Sequence, residues 1–318
     1  MFRLGIDLGG TKIEAALLSP SGDAVWRKRV ASPRDDYRRT LQALIGLIND
    51  ARQTHHASDF SIGLGIPGSL SPTDGRVRNA NSTWLNGQPL KSDLEELLGQ
   101  RVAIANDANC LAISEATDGA ARDAQSSFAV ILGTGVGGGL VIHKKLVVGA
   151  NGIAGEWGHT PLPWQQENEH HQGPCWCGRH GCIETFLSGP ALAKEFNTVS
   201  SQHAANVEAL LALRATGDVI ANSVMENFFD RLARALAMVV NIVDPDVIVV
   251  GGGLSNIAEI YTEVPKRWQQ WIFSDQPTKT HLLPAMHGDA SGVRGAAWLP
   301  SRHDTPGSDR IPEDESGD

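Results

Sequence analysis

Residues 3–13 read Arg3-Leu4-Gly5-Ile6-Asp7-Leu8-Gly9-Gly10-Thr11-Lys12-Ile13. The first six alternate apolar side chains with small or polar ones, which predicts a strand. Gly9-Gly10-Thr11-Lys12 predicts a tight turn and 13–18 a second strand. Ser19-Pro20-Ser21-Gly22-Asp23 is a cluster of turn formers and 24–30 alternates again, so the opening thirty residues predict a three-strand antiparallel meander. Leu41, Leu44, Ile45 and Ile48 repeat at helical spacing within 37–52, which predicts a helix with one apolar stripe against that sheet. Further strands are predicted at 61–66 and 102–105, the latter running into Asn106-Asp107 and a helix over 108–117.

The same grammar returns about 125 residues later. Residues 128–132 are apolar, Gly133-Thr134-Gly135-Val136-Gly137-Gly138-Gly139 reads as the turn, 140–143 as a strand, Lys144-Lys145 as a second turn and 146–148 as the closing strand. This repetition predicts a duplicated α/β architecture of two similar lobes with a ligand cleft between them. Phe228, Phe229, Leu232, Leu236, Val239, Val240 and Val243 mark a later amphipathic helix, and 247–250 a buried strand that ends in Gly251-Gly252-Gly253. Residues 1–118, completed by about 294–300, are expected to form the small lobe and 119–293 the large one. The stretch 301–318 is Ser, Asp, Gly, Pro and Glu with little to bury, so a disordered tail is expected there.

Composition narrows the function. The chain has 318 residues, 41% hydrophobic and 20% charged, as a soluble globular protein of two domains should. Its 27 Lys and Arg against 36 Asp and Glu leave a net charge of −9, the wrong sign for nucleic acid or an anionic membrane. No apolar stretch approaches the ~18 residues of a membrane span. The start, MFRLGIDLGG, interrupts any signal-peptide core with Asp7 and glycines, so a cytoplasmic protein is expected. Four cysteines are too few for a disulfide scaffold.

Three glycine turns each follow a buried strand: Gly9-Gly10-Thr11-Lys12, Gly133-Thr134-Gly135 and Gly251-Gly252-Gly253. Such turns let backbone N–H groups approach a phosphate without interference from Cβ. The first is not a P-loop, because Thr11 and Lys12 stand in the wrong order. The second satisfies G-x-G-x-x-G, but a strand follows it where a dinucleotide fold needs a helix. Asp7, a carboxylate in an apolar strand beside such a turn, is expected to hold Mg²⁺ near the phosphates.

Cys175, Cys177 and Cys182 fall on one glycine-rich loop, and tetrahedral Zn²⁺ needs a fourth ligand. His159 is the leading candidate, with His170, His171 and His180 as competitors. A closed set of four implies a structural ion that organises the loop. Cys110 reads as a small core residue. Asn106-Asp107 sits where a strand meets a helix, a position fit either for a ligand or for Asp107 as helix N-cap. Glu156, His159 and Glu184, with Asn79, Asn81 and Asn86 near Trp84, supply the carboxylates and amides that recognise sugar hydroxyl pairs.

Together, residues 4–12, Asn106-Asp107-Ala108-Asn109-Cys110, Gly155-Glu156-Trp157-Gly158-His159 and 175–184 resemble the ROK family of sugar kinases and repressors. The stretches 79–87, 161–164 and 287–298 look most like its bacterial fructokinases. The resemblance implies the actin-like ATPase (ribonuclease H-like) fold, a two-lobe hexokinase and Hsp70-type architecture, with ATP, Mg²⁺ and a hexose as ligands. It implies Asp107 as catalytic base, and Asn106, Asp107, Glu156, His159, Glu184, Asn81 and Gly68 as sugar ligands. It puts Gly9, Gly10, Thr11, Lys12, Gly133, Thr134, Gly135, Gly137, Gly252 and Gly253 on the nucleotide, and His159, Cys175, Cys177 and Cys182 on structural Zn²⁺. A homodimer and transfer to the 6-hydroxyl of fructose are expected, with N-acetylglucosamine, glucose or mannose as alternative substrates. A sugar-responsive repressor, the rival reading, needs a helix-turn-helix ahead of the first turn, and with Gly5-Ile6-Asp7 so near the first residue none is expected.

Overall fold

A computed structural model describes residues 1–55, 60–169 and 173–300; the expected tail and the competing ligands His170 and His171 lie outside the described residues. The chain divides into two compact units. One comprises Met1–Ser114, Gly149–Gly152 and the segment from Ala290, the other Glu115–Val148 and Ile153–Asp289.

In the first unit, β1 (Phe2–Leu8), β2 (Lys12–Leu18) and β3 (Ala24–Ala31) form the antiparallel meander. After α1 (Tyr37–His55), β4 (Phe60–Ile66) pairs parallel with β1. The short β5 (Ser69–Leu70) and β6 (Val77–Arg78) form a separate hairpin. Helix α2 (Leu90–Leu98) leads to β7 (Val102–Asn106), parallel to β4, and then α3 (Asp107–Thr117). The sheet order is β3-β2-β1-β4-β7. Leu4, Ile6, Leu8, Ile13 and Leu17 are buried with Leu44, Leu47, Ile48 and Ala51 of α1. Leu41 and Ile45, expected in the buried stripe, are only partly covered.

The second unit repeats the plan. β8 (Ser126–Leu132), β9 (Val136–Ile142) and β10 (Lys145–Val147) form its meander. Helices α4 (Glu184–Leu187), α5 (Gly189–Val199), α6 (Val207–Ala215) and α7 (Val219–Val243) precede β11 (Val247–Gly251). After α8 (Ile260–Trp268) comes β12 (His281–Pro284). The order β10-β9-β8-β11-β12 matches the first sheet strand for strand, with β11 parallel to both β8 and β12. This is the duplicated actin-like ATPase fold.

The spine of the second unit is α7. Its N-cap Asp218 accepts from Ala221 N at 2.8 Å, and Phe228, Phe229, Leu232, Leu236 and Val240 are buried along it. At about 1.5–3 kcal/mol per large side chain, that face dominates the unit's stability. Arg234 on the same helix is fully buried and donates to Glu169, Asp230 and the carbonyls of Pro163 and Trp164, which ties down the loop that follows His159.

The last helix, α9 (Ser291–Trp298), returns to the first unit and lies on β1 and β4. Its approach is possible because Gly63 and Gly295 carry no side chain: a Cβ on Gly63 would run into the Ala296 carbonyl, and one on Gly295 into the Cys110 carbonyl of α3.

One expectation is corrected. The second glycine turn ends at Gly135, and Gly137, Gly138 and Gly139 are ladder residues of β9 paired with Ile131, Val130 and Ala129. The reason is Trp157, whose indole lies against Gly138 and donates to the Gly137 carbonyl at 2.7 Å. A side chain at Gly138 would exclude it, so this glycine serves packing within the strand. The following turn is His143-Lys144, both at positive φ.

Candidate active site

In the first unit, the turn after β1 closes when Gly9 N donates to Lys12 O at 2.9 Å. The N–H groups of Gly10 and Thr11 meet no acceptor among the described residues. Two successive open donors make a small anion cradle. Asp7, on β1 just before it, faces Gly65 of β4 and Gly292 of α9; a Cβ on Gly292 would stand 3.1 Å from Asp7 Oδ2. No hydrogen-bond donor among the described residues reaches Asp7. Burial, then the charges of Asp107 and Glu14, raise its pKa to about 6 against the pull of Lys12. A carboxylate held this way fits a cation, whose charge would remove the penalty. Beneath it, burial and then the charges of Asp7 and Asp107 push the Cys110 thiol far up, so Cys110 is a neutral core residue.

Asn106 and Asp107 stand at the junction of β7 and α3. Asn106 Oδ1 accepts from Asn109 N at 2.7 Å, and Asp107 Oδ1 accepts from Ala108 N at 2.8 Å. Asn106 is therefore the N-cap, and the alternative reading of Asp107 as the cap is corrected. The protein mass around Asp107 raises its pKa, opposed by the Ala108 N–H, although water still reaches the side chain.

Gly68, at φ 76°, packs against the backbone of Arg78 and Ala80, which puts it beside the segment that carries Asn81. Asn81 is exposed. Asn86 and Trp84 are structural: the Asn86 amide clamps both backbone groups of Ala80 at 2.9 Å, and Trp84 donates to Thr40 Oγ1 at 3.2 Å.

In the second unit, Gly133 N donates to Gly135 O at 3.0 Å, again leaving two successive N–H groups, of Thr134 and Gly135, without an acceptor among the described residues. Gly252 follows β11 at φ 82°, closely packed on the Leu132 carbonyl, and so brings Gly253 beside Gly133. Next to Gly253 opens a cavity of about 580 Å³. Its walls are Val207, Leu211, Ala215, Leu254 and Ile257, with Arg214, Asn222, Asn256 and Glu259 as polar groups. Sequence reasoning missed this cavity, since α6, the start of α7 and the segment 253–259 that frame it carry no motif beyond Gly253.

His159, Cys175, Cys177 and Cys182 converge, their ligand atoms all within 4.8 Å of one another. A bridge between Pro161 and Cys182, with Ile183 N donating to Thr160 O at 2.9 Å, lays the His159 and Cys182 segments side by side. The separations Cys175 Sγ–His159 Nδ1 of 3.5 Å and Cys177 Sγ–Cys182 Sγ of 3.6 Å suit ligands about 2.0–2.3 Å from a tetrahedral Zn²⁺. Without a cation, burial and the neighbouring thiols push Cys182 up to about 12. His180 is exposed and outside the cluster.

Glu184 follows the last cysteine on α4. Its Oε2 accepts from Val136 N at 2.9 Å, and its Oε1 lies 3.8 Å from Cys175 Sγ. Glu156 directly precedes the single helical turn Trp157–His159.

No helix among the described residues is long and apolar enough to cross a membrane. In sequence, the model of the ROK family matches residues 3–303. An N-acetyl-D-glucosamine kinase of Yersinia pseudotuberculosis serotype IB is 41% identical over 303 residues, covering 93% of this chain and 97% of that protein. One from Escherichia coli O139:H28 is 39% identical, covering 93% and 98%. Among solved structures, the ROK hexokinase from Thermus thermophilus superposes with a TM-score of 0.83 at 30% identity, covering 94% and 97%. A ROK glucokinase from Streptomyces griseus, in complex with glucose and AMPPNP, gives 0.74 at 26% identity, covering 94% and 99%.

Proposed function

The chain belongs to the ROK family and is a sugar kinase, and from that premise we propose that it phosphorylates the 6-hydroxyl of N-acetyl-D-glucosamine with ATP. The choice of hexose rests on the curated relatives, which match it over nearly their full length and bear that name. The expectation of fructose finds no support among them, and the N-acetylglucosamine alternative takes its place.

The observation that carries the chemistry is the state of Asp107. Because Asn106 caps α3, Asp107 commits only Oδ1, to the Ala108 N–H, and its raised pKa makes it a better proton acceptor than an ordinary aspartate. In the reaction the 6-oxygen forms a bond to Pγ, the bond from Pγ to the β,γ-bridging oxygen breaks, and ADP leaves with that electron pair. The hydroxyl proton passes to Asp107. The open N–H pairs at Gly10-Thr11 and Thr134-Gly135 hold phosphate oxygens, with Lys12 adding charge. The cavity beside Gly253 takes the nucleoside, its apolar walls against the base.

Mg²⁺ bound with ATP would spread charge off the phosphates, and Asp7 is the residue that would hold it. Zn²⁺ would be held by His159, Cys175, Cys177 and Cys182, all four positions filled by protein, and would organise the loop that presents Glu156 and Glu184 to sugar hydroxyls. Asn106, through its amide nitrogen, which has no acceptor among the described residues, and Asn81 with Gly68 complete the sugar ligands.

The test is kcat/KM with ATP across N-acetyl-D-glucosamine, glucose, mannose and fructose. The first should lead by at least about tenfold, the discrimination expected of a site built around the acetamido group. A lead for fructose would reverse the assignment.

A further inference from the structure

Glu184 has two commitments in the folded chain, and they lie in different parts of the machinery. Its Oε2 accepts the N–H of Val136, the residue that closes the turn Gly133-Thr134-Gly135. Its Oε1 accepts only a long contact from the Cys175 thiol, 3.8 Å from the sulfur. The same segment grips the turn a second time, since Gly189 N donates to Gly133 O at 2.8 Å. Gly135 is shaped to this carboxylate: a Cβ there would stand 2.8 Å from Glu184 Oε2.

A carboxylate beside a phosphate cradle is electrostatically adverse unless its charge is engaged. One oxygen is engaged by Val136; the other, which meets only the long Cys175 contact, keeps a lone pair for a hexose hydroxyl. From this geometry we infer that Glu184 couples the two substrates: a sugar hydroxyl on Oε1 draws charge from the carboxylate and fixes its rotamer, which sets the turn that receives the ATP phosphates. Sugar therefore raises nucleotide affinity, and by linkage nucleotide raises sugar affinity by the same factor. The inference rests on the reading of Glu184 as a sugar ligand and adds a positioning role toward the turn.

The experiment is calorimetry on the full chain with AMPPNP as nucleotide probe and N-acetyl-D-glucosamine as sugar probe, each titrated with and without the other. The wild type should bind AMPPNP at least about 5-fold more tightly when sugar is present, the lower end of measured site-to-site couplings. In Glu184→Gln the ratio should fall toward one. Gly135→Ala attacks from the turn side: its backbone needs no left-handed conformation and the atom nearest the added methyl is Glu184 Oε2, 2.8 Å away, so it too should reduce the ratio, whatever it costs nucleotide affinity itself. A wild-type ratio of one, or an unchanged ratio in both folded variants, overturns the coupling. Unaltered affinity of Glu184→Gln for sugar alone would instead overturn Glu184 as a sugar ligand, a separate result. Purely structural damage would lower both affinities and leave their ratio as it was.

Discussion

Asn109 donates its backbone N–H to the side chain of Asn106, three residues earlier, at 2.7 Å. This bond caps α3 and leaves Asp107 holding only the N–H of its neighbour Ala108, through Oδ1 at 2.8 Å, a bond that an asparagine can keep. Asp107→Asn should consequently leave the melting temperature and hexose affinity nearly unchanged while kcat falls by about 10²–10⁴, the contribution of a positioned base. The wild-type rate should also drop on acidification through a pKa above the ordinary aspartate value, since the base must be ionised. Undiminished turnover in the variant would remove Asp107 from the role.

Asp7 costs stability at neutral pH. Its folded pKa of about 6 exceeds the reference 3.8, so the folded chain is the better proton binder between those values. Its contribution is fully present below the lower value and is lost as pH rises through the higher one. Above that window the ionised group costs up to about 3 kcal/mol. Asp7→Asn should melt higher than the wild type at pH 8, the gap narrowing as pH is lowered to 5, while phosphoryl transfer collapses. Millimolar MgCl₂ should raise the melting point of the wild type alone. Identical melting curves at pH 8 would refute this account.

Metal analysis of the purified protein should find one zinc per chain. Chelation, or Cys182→Ser, should lower the melting temperature and weaken hexose binding more than nucleotide binding. Trp176 offers a direct reporter, because its exposed ring stands edge-on to His159 with centroids 4.9 Å apart; its fluorescence should change as the ion leaves. Metal-free protein with full hexose affinity would separate the cluster from the sugar site.

Two glycine-to-alanine changes should act in opposite directions. Gly63→Ala drives a methyl into the Ala296 carbonyl of α9 and should cost at least about 1–3 kcal/mol. Gly46→Ala, within α1 with nothing within 4 Å of the new Cβ, should gain about 0.5–1 kcal/mol. Urea unfolding of both variants checks the pair.

The strands and glycine turns of both meanders were legible because alternation and turn residues are local signals. Gly137 was misassigned for the same reason: a run of glycines reads as a turn, and only Trp157, twenty positions on, explains it as strand. Helices α5, α6, α8 and α9 were not read at all. Their sequences carry no motif, and α9 packs on β1 and β4 at the other end of the chain. The metal loop was half legible. Cysteine spacing identified three ligands, while the choice of His159 over His180 waited on the bridge between Pro161 and Cys182.

The sequence by itself determined the duplicated fold, the three glycine turns and the residue types of the chemistry, since each is written in short-range pattern. Tertiary structure alone decided that Asp7 lies half-buried against Gly65 and Gly292 with no donor among the described residues, and that Glu184 reaches the turn at Val136. Those are facts of distance between segments separated by tens of residues, and side-chain burial and pKa depend on that distance and not on order along the chain.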